Sequence, residues 1–257
     1  MKRNILLSVI CISSIVVFSM ALFFSSAQTN NKEKKRSLPQ VDFPLEDQQN
    51  LAEIDPERKK KNAGYDKLRS VKDPNGLDIS ETERKSHWYV GFPAIPITKS
   101  DLIISGKVTK ATAFLSNDKT GIYSEFEVEV EKIIKNNEKS PISVGKAVQV
   151  ERVGGQVRFP SSQVVKYVTY GQGLPQEEEN YIFFLSYDAQ RQSYRILTGY
   201  EIRGGRIYAL DGRNAVGGGE VKFSMDEFNG YEESIFIDKI NKSLSNPTSD
   251  ERKVSVP

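Results

Sequence analysis

Residues 122–131 read Ile122-Tyr-Ser-Glu-Phe-Glu-Val-Glu-Val-Glu131. Ile122, Ser124, Phe126, Val128 and Val130 alternate with Tyr123, Glu125, Glu127, Glu129 and Glu131, the period of two of a strand with one apolar and one solvated face. The turn-forming run Asn117-Asp-Lys-Thr-Gly121 precedes it. Before that turn Leu102, Ile104, Gly106 and Val108 alternate with Ser105, Lys107 and Thr109. Two alternating runs around one turn predict an antiparallel hairpin. On its outer face the row of glutamates reads as a water-facing surface rather than a metal or acid–base site.

Working outward, further strands are expected at 147–152, 181–186, 194–198, 201–203 and 206–210. The uninterrupted run Tyr181-Ile-Phe-Phe-Leu185 predicts a central strand covered on both sides. Residues 187–193 form a polar hairpin loop, and Gly204-Gly205 and Asp211-Gly212 are turn signals. Near the C-terminus Ser224 and Glu227 have the spacing of a capping box. Phe228, Tyr231, Ile235, Ile237, Ile240 and Leu244 follow at intervals that suit one face of a helix, broken early at Asn229-Gly230. Short strands joined by tight turns, with one closing helix, predict a mainly β fold: a small antiparallel barrel or meander with a C-terminal helix against it.

The succession Asp101-Leu-Ile-Ile-Ser-Gly-Lys-Val, Phe126-Glu-Val-Glu-Val-Glu-Lys-Ile-Ile-Lys, Glu179-Asn-Tyr-Ile-Phe-Phe-Leu and a terminal helix resembles exported bacterial modules similar to the netrin and metalloproteinase-inhibitor (OB-type) barrels. The resemblance covers about residues 100–244, lies in strand pattern, and implies an OB-like barrel. Inhibitors of that family reach a metal through an N-terminal cysteine and are cross-linked by disulfides. The one cysteine here is Cys11, so neither that mechanism nor any site residue carries over.

Ahead of the barrel the chain changes character twice. Lys2 and Arg3 precede an uncharged stretch whose apolar centre runs over residues 5–24, and Phe-Ser-Ser-Ala27-Gln28 closes it with small residues where a signal peptidase cuts. Residues 1–27 therefore read as an export signal cleaved after Ala27, the rival being an uncleaved anchor of bilayer-spanning length. An extracytoplasmic, bacterial location follows, with membrane contact only through residues 5–24 if the segment stays. Residues 28–90 are polar and highly charged and read as a linker. Within it Asp55-Pro-Glu57 is a helix start, and Arg58-Lys-Lys-Lys61 reads as a solvated helix face rather than a lipid or polymer site. His87, Trp88, Tyr89 and Phe92 are expected to pack the end of the linker against the barrel, which spans 91–245. Residues 246–257 are a polar tail.

The chemistry available is narrow. One His and one Cys leave no paired imidazoles, no disulfide and no cysteine cluster. His87 is not part of a Ser-His-acid arrangement, Gly154-Gly155 and Gly217-Gly-Gly219 lack the spacing of a phosphate loop, and Glu177-Glu-Glu179 reads as an exposed turn. Catalytic, cofactor and metal sites are accordingly assigned to no residue. Removing residues 1–27 takes away Lys2 and Arg3 and no acid, leaving 34 basic against 34 acidic side chains, which gives no reason to propose nucleic acid as a partner. The segment 154–175 is long for a connection in a compact domain and carries Arg158, Phe159, Tyr167 and Tyr170. These four are the candidate partner-binding residues; the alternative is that residues 164–169 form one more strand and the aromatics belong to the core. The expectation is an exported, non-enzymatic interaction module for an envelope protein or polysaccharide. The alternative is a hydrolase of glycans working with carboxylates alone, which would need two acids facing each other across a cleft.

Overall fold

Residues 37–43, 55–67, 82–84, 93–169, 171–212 and 224–246 are described by the structure, a computed structural model. The export segment, the aromatic cluster at 87–89, Phe92, Tyr170, Gly217–Gly219 and the tail from 247 lie outside them. In chain order the elements are β1 (Gln40–Asp42), α1 (Pro56–Ala63), β2 (Thr82–Arg84), β3 (Leu102–Leu115), β4 (Ile122–Lys135), β5 (Ala147–Val153), β6 (Gly155–Arg158), β7 (Val164–Thr169), β8 (Asn180–Asp188), β9 (Ser193–Arg203), β10 (Arg206–Ala209), a 3-10 turn (Ser224–Phe228) and α2 (Glu233–Ser245).

The hairpin read around Asn117–Gly121 is β3–β4, paired from Ile103↔Lys135 to Leu115↔Ile122 with three register shifts. β4 pairs with β5, β3 with β8, and β8 with β9, all antiparallel. β5 and β9 then meet in parallel at Val150↔Tyr194 and Glu151↔Arg195, which closes the ring β3-β4-β5-β9-β8. The parallel closure rules out a plain meander and gives a five-stranded barrel of OB type, without the free edges a meander would leave. β10 folds back on β9 through Gly204 and Gly205, both at positive φ (+55° and +72°), the two-residue turn that matches strand twist.

Three cores result. Leu102, Ile104, Phe126, Val128, Val150, Tyr181, Phe183, Leu185 and Ile196 converge inside the barrel. The intervening residues Ile103, Ile182 and Phe184 face outward beneath α2 and the 3-10 turn, against Phe228, Phe236, Ile237 and Ile240. The run at 181–185 is thus apolar throughout because its two faces belong to two different cores. It also makes β3 buried on both faces near Ile103 and Ser105, not half-solvated as its period suggests. The terminal helix divides at Asn229-Gly230, and its buried seam is Phe236, Ile237, Ile240 and Ser243, leaving Ile235 48% and Tyr231 38% exposed. Among the described residues no helix is long and apolar enough to cross a membrane.

The domain begins earlier than residue 91. Asp55 caps α1 as its sequence predicts, its Oδ1 accepting from the Glu57 amide at 3.1 Å. β1 and β2 add in parallel to opposite edges of the antiparallel β6–β7 hairpin and make a second, four-stranded sheet. The linker reading fails for these segments because backbone pairing and ion pairs hold them, and neither writes a hydrophobic period into the sequence.

Candidate functional site

The segment 154–175 contains β6 and β7, so it is structured rather than one long loop, and Phe159 and Tyr167 turn inward. They are 3% and 2% exposed and pack with Ala113, Ile122 and Val157 in the third core. Phe43, just past β1, stacks on Phe159 with centroids 4.9 Å apart. Arg158 points to solvent at the end of β6. Its guanidinium donates from Nε and Nη2 to the two carboxylate oxygens of Asp42 at 2.9 and 2.8 Å. That bond holds the Asp42 carboxyl below its ordinary range and raises the guanidinium's own value. Of the four residues selected from sequence, Arg158 alone is exposed here, Phe159 and Tyr167 serve packing, and Tyr170 is outside the described residues.

A second constellation was invisible to the strand period. Glu125 of β4 and Glu151 of β5 are directly opposite one another in register, and their side chains are only 3% and 0% exposed. The expectation that the β4 glutamates form a solvated row holds for Glu127, Glu129 and Glu131 and fails for Glu125. Two like charges opposite each other on one strand pair repel, and here cations from elsewhere in the chain neutralise them. Arg58 donates to Glu125 Oε2 at 3.1 Å and to the Tyr123 hydroxyl at 3.1 Å. Lys61 Nζ stands 2.6 Å from Glu125 Oε1 and 3.5 Å from Glu151 Oε2, and Arg191, from the β8–β9 turn, reaches Glu151 Oε1 at 3.6 Å. Gln149 and Ser193 donate to Glu125 and Glu151 at 2.7 and 2.9 Å. So Arg58 and Lys61 are not simply a solvated helix face: they are spaced i, i+3, which places both on the side of α1 that meets the sheet.

Aromatic groups close this site. Tyr65 stacks on Tyr123 at 3.9 Å and 8°, and the Arg191 guanidinium lies over the Tyr65 ring at 4.9 Å. Asn62 accepts from the Tyr123 hydroxyl at 2.6 Å. Burial, then the negative Glu151 nearby, pushes the Tyr65 hydroxyl far above its ordinary value. Burial pushes Tyr123 up to about 12 despite the opposing pull of Arg58.

A third group is fully interior. Arg152, next along β5, turns to the opposite side from Glu151 and forms a fork with Asp211, Nη1–Oδ1 2.7 Å and Nη2–Oδ2 2.8 Å. Asp211 also accepts from Thr198 Oγ1 and the Gly173 amide at 2.8 and 2.9 Å. With side chains 1% and 0% exposed, this pair fastens the 171–173 segment and the end of β10 to the barrel. Glu177 and Glu178 are likewise engaged, with the Ala111 amide at 2.7 Å and Lys107 at 2.6 Å. Among the described residues no group of three or more His, Cys, Asp or Glu is placed to hold a metal ion. Comparison with models of known protein families, with curated proteins and with solved structures finds no match to this chain.

Proposed function

We propose that the chain is an exported, non-enzymatic interaction module that presents the surface of a small barrel to an envelope protein or polysaccharide. The observation that carries this reading is the closure of Glu125 and Glu151, the directly opposed acids of β4 and β5. A hydrolase working with two carboxylates needs both reachable by a glycosidic oxygen and a water. Glu125 and Glu151 are covered by α1 and Tyr65 and neutralised by three cations. The β6–β7 hairpin stands outward, with Arg158 at the end of β6 exposed and paired with Asp42, a planar donor of the kind that anchors interfaces. The netrin-like resemblance and a location outside the cytoplasm belong to the same proposal.

The test is affinity capture from envelope extract with residues 28–257 as bait and Arg158→Ala/Tyr170→Ala as control, bound species being identified by mass spectrometry. A component retained by the bait and lost with the control is expected. Equal recovery on both, or release of sugar reducing ends from wall polysaccharide by the bait alone, would contradict the proposal.

A further inference from the structure

We draw no further inference here: the strongest candidate, the surface patch of exposed apolar side chains Tyr231 and Ile235 beside the start of α2, carries nothing because nothing in the structure shows what covers it.

Discussion

Replacing Asp211 with alanine removes four acceptor contacts at once and leaves the Arg152 guanidinium without its counter-ion in a site that excludes water. Both side chains are essentially unexposed. Breaking a buried pair in this way costs about 3–5 kcal/mol, because the surviving charge keeps its desolvation penalty. For a domain of this size the thermal midpoint should fall by about 6–20 °C. Urea unfolding followed by far-ultraviolet circular dichroism measures the loss directly. The double variant Arg152→Met/Asp211→Ala should lose less than the sum of its parts, by more than about 1 kcal/mol, since it removes the orphaned charge. It should not recover fully, because the Gly173 amide and the Thr198 hydroxyl still lack their acceptor. A loss below about 1 kcal/mol for Asp211→Ala, or strict additivity in the cycle, would refute the assignment of this pair as the interior fastening of the barrel.

Other consequences follow from the same geometry. Phe236→Ala should destabilise by about 3–5 kcal/mol, because the ring is fully buried between Tyr200 and Phe228, whereas Ile235→Ala, half exposed one residue earlier, should stay within about 0.5 kcal/mol in the same urea assay. Asp42→Ala breaks only an exposed pair with Arg158, so its urea midpoint should coincide with that of the unaltered chain. In alkaline titration followed by phenolate absorbance, Tyr123 should ionise near pH 12, Tyr65 later still, and Tyr200 well above the ordinary tyrosine value. Unfolded tyrosine ionises near ~10, so the stability these neutral phenols contribute is complete below that pH and is lost as pH rises through their folded values. Ionisation of every tyrosine in one step near pH ~10 would contradict this burial.

The sequence declares the barrel where burial alternates with chain position. The period through Phe126, Val128 and Val130 locates β4, the unbroken apolar run at 181–185 marks the strand shared between two cores, and Asn229-Gly230 marks where the terminal helix divides. The parallel contact that closes the ring rests on two residue pairs far apart in sequence and has no local signal. Glu125 shows why the site stayed hidden. Its outward direction is legible from the alternation, but whether an outward residue meets water depends on a cover from more than sixty residues upstream. That cover is a charged helix whose start at Asp55-Pro-Glu57 is legible and whose destination is not. Phe159 and Tyr167 illustrate the converse, since aromatic residues in a segment of ambiguous period serve a surface or a core equally well until the edges of β6 and β7 are seen to be filled by β1 and β2.

The central claim is that α1 and Tyr65, upstream of residue 91, are seated on the outer face of β4 and β5. It is tested most directly by comparing residues 28–257 with residues 91–257 in alkaline titration and urea unfolding. With Arg58, Asn62 and Tyr65 gone, Tyr123 should fall from about 12 toward its ordinary value near ~10, and the urea midpoint should drop. An unchanged Tyr123 titration together with an unchanged midpoint would show that the barrel neither needs nor carries this segment, and the account would be wrong.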